Sequence, residues 1–158
     1  MTNRLEVLFS AKLRELRDKL QYGWVYKFQT NKLSHQPGPA DFLFLGRNCY
    51  LIECKECSGK RLELNRLSQL DGMLSFDSSD CIAPNSPNFI SLMVVCFWKG
   101  RKNKSKYYVM PTLTFNGVIK EFTKKSINED EFDEYFSCFE MGHDKITDII
   151  SSFEGVDL

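Results

Sequence analysis

The chain has 158 residues, and its 21 Lys and Arg are matched by 21 Asp and Glu. That length bounds it to one domain with a real core. It has no apolar run long enough for a membrane-spanning helix, and "MTNRLEVLFSAKLREL" lacks a signal-peptide core, so a cytoplasmic protein is expected. The zero net charge conceals a gradient. Residues 1–128 carry 20 Lys and Arg against 11 Asp and Glu, while residues 129–158 carry one lysine, Lys145, against ten acids. A basic body suits a polyanion ligand; the acidic end reads equally well as a solvated helix.

Leu5, Leu8, Phe9, Leu13, Leu16 and Leu20 recur at spacings of three and four, which predicts an amphipathic helix over 3–20. "GWVYKFQT" at 23–30 is aromatic and β-branched and predicts a strand, followed by a loop, "NKLSHQPGP", at 31–39. Residues 40–45 and 49–56 predict a hairpin around a turn at 46–48. Leu64, Leu67, Leu70 and Leu74 predict a helix over 64–76, and "SSDCIAPNSPN" a loop over 78–88. "FISLMVVCFW" at 89–98 is apolar throughout, as in a central buried strand. A basic turn, "KGRKNKSK", leads to a returning strand, "YYVMPTLTF", at 107–115, with Pro111 near its end. Residues 129–153 keep helical spacing, with Gly142 between two helices. This order predicts an α/β (α+β) domain with a central mixed β-sheet flanked by helices. Its core spans 1–128, and 129–158 is an acidic helical extension of the same domain.

Of six cysteines, only Cys54 and Cys57 form a C-x-x-C. Strand positions three apart face opposite ways, and no second pair or nearby histidine completes a zinc set. Reduced, mostly buried thiols are expected.

The hairpin holds an unusual set of charges. Glu53 and Lys55 share one face of its second strand, and Asp41 lies on the partner strand. Side by side, two carboxylates repel, and they favour a proton or a hard divalent cation between them. Mg²⁺, with Mn²⁺ able to substitute, takes one or two carboxylates plus a carbonyl, here that of Cys54. Lys55 adds a positive charge that can hold a water and stabilise charge developing on a phosphate. Asp41, Glu53 and Lys55 thus have the composition of a phosphodiesterase site. A cross-strand salt bridge on a solvated face is the alternative, although Leu43, Leu45 and Leu51 share that face.

P-A-D at residues 39–41, eleven residues, then E-C-K at 53–55 resembles the signature of the PD-(D/E)XK nuclease superfamily. "LELNRLSQLDGM", the apolar strand after it and "KYYVMPTL" resemble the RecU-like Holliday-junction resolvases. The resemblance covers roughly residues 3–115 and implies a restriction-endonuclease-like sheet. It implies a metal-dependent endodeoxyribonuclease that resolves branched double-stranded DNA in recombination and repair, as a homodimer, in a bacterial cell or a phage-infected host. It further implies an acid on the first helix. Glu6 flanks the apolar stripe and is the better placed; Glu15 lies further towards solvent. Gln69 would orient water or a metal ligand, or is simply an exposed helix glutamine. Lys27 would approach the DNA backbone, or is simply an exposed strand lysine. Lys60 and Arg61 would contact phosphates, as would Lys99, Arg101, Lys102, Lys104 and Lys106 of the basic turn, which reads equally well as a soluble hairpin tip. RecU proteins carry a long stalk where this chain has only residues 31–39, and the acidic C-terminus has no counterpart there. Another DNA substrate (restriction-like, flap or replication-repair) and a catalytically silent DNA-binding module are the alternatives.

Overall fold

The first helix forms as expected. α1 spans Arg4–Leu20, capped by the Asn3 side chain, which accepts from the Leu5 amide at 3.0 Å, and it ends at Gln21 in the left-handed region. All six residues of its apolar stripe are buried. The computed structural model describes residues 3–29, 38–77 and 88–156. Most of the 31–39 loop, most of the 78–88 loop and Cys81 lie outside the described residues.

Strands β1 (Trp24–Lys27), β2 (Phe42–Leu45) and β3 (Cys49–Cys57) form an antiparallel meander. After β4 (Arg61–Glu63) and α2 (Leu70–Asp77) comes β5 (Phe89–Phe97), which lies parallel to β3. β6 (Lys106–Pro111) returns antiparallel to β5. α3 (Thr112–Ile119), β7 (Ser126–Asn128), α4 (Glu129–Phe136), β8 (Glu140–Met141) and α5 (Asp148–Phe153) complete the chain. The main sheet is mixed and six-stranded, in the order β1-β2-β3-β5-β6-β8, and β4 pairs with β7 in a small second sheet. The expected α+β architecture, a central mixed sheet flanked by helices, is the observed one.

Alternation along the strands divides the core in two. Phe42, Ile52, Cys54 and Val94 meet the α1 stripe together with Ile146 and Ile150 from the C-terminal segment. Leu51, Met93, Val95 and Met110 meet Met73 of α2, Phe115 of α3, and Phe132 and Phe136 of α4. Cys54 lies in the first core and Cys57 in the second, so the C-x-x-C pair faces opposite ways. Cys54, Cys57, Cys96 and Cys138 are free thiols, the last of them exposed.

Three segments depart from expectation. The helix expected over 64–76 is a 3-10 turn at Leu64–Arg66 followed by α2. Arg61–Glu63 is held extended by Ser126–Asn128, and the Leu64 amide donates to the Lys125 carbonyl at 2.9 Å, so the chain enters this stretch as a strand. The strand expected to reach residue 115 stops at Pro111, and Thr112 opens α3. Residues two apart share a face in a strand but oppose each other in a helix. Leu113 is accordingly exposed while Phe115 is fully buried. Within the acidic C-terminus, Glu140–Met141 leaves the helical pattern and adds a two-residue strand to the open edge of β6.

Candidate active site

β2 begins at Phe42, opposite Ile52. One residue earlier the backbone of Asp41 is tied on both sides: its amide donates to the Ile52 carbonyl at 3.0 Å and its carbonyl accepts from Phe28 at 2.9 Å. The next amide along β3, that of Cys54, has no β2 partner and donates instead to Asp41 Oδ2 at 2.7 Å. The Asp41 side chain thus substitutes for the missing strand and is drawn against Glu53.

Glu53 is 2% exposed. Its Oε1 lies 2.6 Å from Lys55 Nζ, and its Oε2 is buried without a hydrogen-bond donor among the described residues. Burial first, and then the repulsion of Glu53, push the Asp41 carboxyl from 3.8 up to about 7, against the pull of the Cys54 amide. Burial also raises Glu53, although Lys55 opposes it and the two carboxyls are close enough to share a proton. A buried pair of carboxylates with one lysine beside Glu53 has too little positive charge for both to ionise.

Glu6 reaches the same corner from α1. The first turn of that helix is held to the end of β3, because the Leu5 amide and the Arg4 guanidinium both bind the Glu56 carboxylate. Glu6 pairs with Lys27 of β1 at 2.9 Å, and its charge raises the pKa of both Asp41 and Glu53. Glu15 instead pairs with Lys12 at 2.8 Å on an exposed part of α1. Glu56 was not singled out in the sequence; its only signal there is its place one residue beyond Lys55.

Other expected residues divide. Gln69 precedes α2, its carbonyl accepting from Met73 and its Oε1 from Ser68 at 3.3 Å; among the described residues it makes no hydrogen bond to Asp41, Glu53 or Lys55. Lys60, Arg61 and Lys99 line one cleft of about 510 Å³, with Lys99 paired to Glu129 at 2.6 Å. A second cleft, of about 340 Å³, shares Gly59 and Arg61 with the first and reaches Lys55. Arg66, not anticipated from the sequence, lines this second cleft. Arg101, Lys102 and Lys104 stand exposed at the β5–β6 tip, outside both clefts. Lys106 is engaged by Asp133 at 3.2 Å and Glu140 at 3.8 Å.

The donor set fits a hard divalent cation. Two buried carboxylates lie side by side, one oxygen has no donor among the described residues, and the Cys54 backbone adjoins them. Among the described residues no group of three His, Cys, Asp or Glu side chains is placed to hold a metal, so a carbonyl or water must complete any such shell. No helix among the described residues is long and apolar enough to cross a membrane.

No protein-family model matches the chain, and no curated protein matches it. Among solved structures it is similar to Hjc of Archaeoglobus fulgidus, a Holliday junction resolvase from an archaeal hyperthermophile. The identity is 16%, the match covers 84% of this chain and 94% of that one, and the TM-score is 0.45.

Proposed function

We propose that this protein is a Mg²⁺-dependent DNA endonuclease that cuts branched duplexes, four-way junctions foremost, by phosphodiester hydrolysis. The carrying observation is the buried pairing of Asp41 with Glu53, with an undonated Glu53 oxygen and the Lys55 ammonium beside it. Asp41, Glu53 and the Cys54 carbonyl would hold Mg²⁺ or Mn²⁺, with Glu6 as an outer acid. The ion would supply Lewis acidity, lowering the pKa of a water and polarising the phosphoryl oxygens. Lys55 Nζ, fixed by Glu53 Oε1, aims donors at the attacking water and at a non-bridging phosphate oxygen. Water adds to phosphorus, the P–O3′ bond breaks, and a 5′-phosphate and a 3′-hydroxyl result.

The clefts beside Lys55 support a backbone-reading mode, with Lys60, Arg61, Lys99 and Arg66 as phosphate ligands. Paired cuts across a two-fold-symmetric junction require two sites, hence a homodimer. The test compares junction, flap and linear DNA with Mg²⁺, Mn²⁺ or Ca²⁺. Symmetric nicks in the junction with Mg²⁺ or Mn²⁺ are expected. Cleavage of flaps or linear duplex alone would retain the nuclease and reject the resolvase. Binding without cleavage in every metal would reject both and favour the silent DNA-binding module.

A further inference from the structure

Strand alternation places Asp41, Leu43 and Leu45 on one sheet face with Trp24, Tyr26 and Phe28, their neighbours across β1 and β2. Phe28 and Leu43 are partly buried against the second core. Beyond them, Trp24 is 68% exposed, Tyr26 50% and Leu45, directly opposite Trp24, 38%. The row begins at the carboxylate pair, since the Phe28 amide donates to the Asp41 carbonyl and the Phe28 ring meets Tyr26 edge-on at 5.1 Å. From Phe28 to Trp24 it runs roughly 14 Å.

Its chemistry indicates what covers it. A stable protein interface takes about 20–30 residues a side, and this row offers only a handful. It is built mainly of rings, and same-face residues on a strand are about 7 Å apart. Tyr26 already meets Phe28, so it is the gap between Trp24 and Tyr26 that would take one planar ring, at about 3.5 Å from each side. The row also continues a face whose charged end suits a phosphate. We propose that Trp24 and Tyr26 form a stacking platform for unpaired DNA bases next to the scissile phosphate. The substrate class is thereby narrowed to DNA with unstacked bases at a branch point. Bases inside a duplex have no free face to offer, whereas unpaired ones do. This inference rests on the nuclease reading.

Full-length protein, free of divalent metal, is titrated with a paired duplex and with the same duplex carrying a short thymidine bubble. Bubble DNA should bind more tightly and quench tryptophan emission, and Trp24→Ser should abolish the quench. The other tryptophan, Trp98, packs beneath Arg4, 4.4 Å from its ring, and is not freely exposed. Tyr26→Leu, which keeps bulk without a ring, should weaken bubble binding between about five- and a hundredfold and leave duplex binding unchanged. Equal weakening on both DNAs, absence of quenching, or loss of a dimer in Trp24→Ser with bubble affinity intact would overturn the platform. Quenching and selective weakening in a protein that cuts no DNA would uphold the platform and reject the nuclease reading. Cleavage of branched DNA with unaltered bubble affinity in both variants would do the reverse.

Discussion

Burial raises both the Asp41 and the Glu53 carboxyl, and Glu53 raises Asp41 further; on the nuclease reading a bound cation would relieve this cost. Asn at position 41 keeps an acceptor for the Cys54 amide and offers Glu53 a donor. Asp41→Asn should therefore raise the melting temperature of metal-free protein by a few degrees while cutting the cleavage rate by at least about 10²–10³-fold, with DNA binding retained. Glu53→Gln should lose cleavage similarly. Unchanged cleavage in either variant would remove the metal assignment. A second acid behaves in the opposite sense. Glu154 is buried and accepts from the Arg47 amide at 2.7 Å, the Asn48 amide at 3.1 Å, Tyr50 at 2.7 Å and Tyr22 at 2.9 Å. Burial alone would raise its pKa, but these donors together hold it below 4.5. Its contribution to stability is present above the unfolded value and is lost as pH falls through the lower folded one. Glu154→Leu leaves the donors unmet and should cost about 3 kcal/mol in urea denaturation. It should also flatten the loss of stability below pH 4.5. Gly46→Ala should destabilise for a related reason, because a Cβ there would stand 2.6 Å from Glu154 Oε2.

At the scale of elements, Glu154 joins the end of α5 to the β2–β3 turn, and through it the C-terminus to the hairpin that carries the candidate site. The hairpin's opposite end is held by α1, through Glu56. Phe132 and Phe136 of α4 are fully buried in the second core, and Ile146 and Ile150 in the first. Burying each such side chain contributes about 1.5–3 kcal/mol, so the four together rival the roughly 5–15 kcal/mol of a whole domain. Removing residues 129–158 should therefore yield an unfolded or insoluble product, read by circular dichroism and size exclusion. A folded, monodisperse truncation would show that these packing terms are dispensable.

Over the whole molecule, the charge gradient along the chain is partly cancelled in space. Lys99 pairs with Glu129, Lys106 with Asp133 and Glu140, and Lys124 with Glu131. The acidic segment thus occupies part of the basic body, and the cations of the clefts are separable from those of the β5–β6 tip. Arg61→Gln should weaken DNA binding across sequences and lower the slope of log affinity against log salt by about one. Lys102→Gln, outside both clefts, should change that slope less. Equal effects would place the tip on the DNA path as much as the cleft.

Sequence alone determined what depends on local periodicity and on short-range strand pairing. The α1 stripe, the hairpin and the common face of Glu53 and Lys55 are all legible because helix and strand periods fix them within a few residues. The juxtaposition of Asp41 with Glu53 follows from a three-residue turn, which leaves little choice of register. Only tertiary structure decided what depends on partners far along the chain. Arg61–Glu63 is a strand because residues 126–128 lie beside it, and Glu140–Met141 because β6 has an open edge. The helical wheel already favours Glu6 over Glu15, but the anchoring of the first turn of α1 by Glu56 is a contact between distant residues. Trp24 and Tyr26 remain uncovered because the second core is built around β3, β5 and β6 and stops short of β1. Local pattern carries no information on such long-range contacts, since the chain entropy spent in forming them is repaid only by packing across the assembled core.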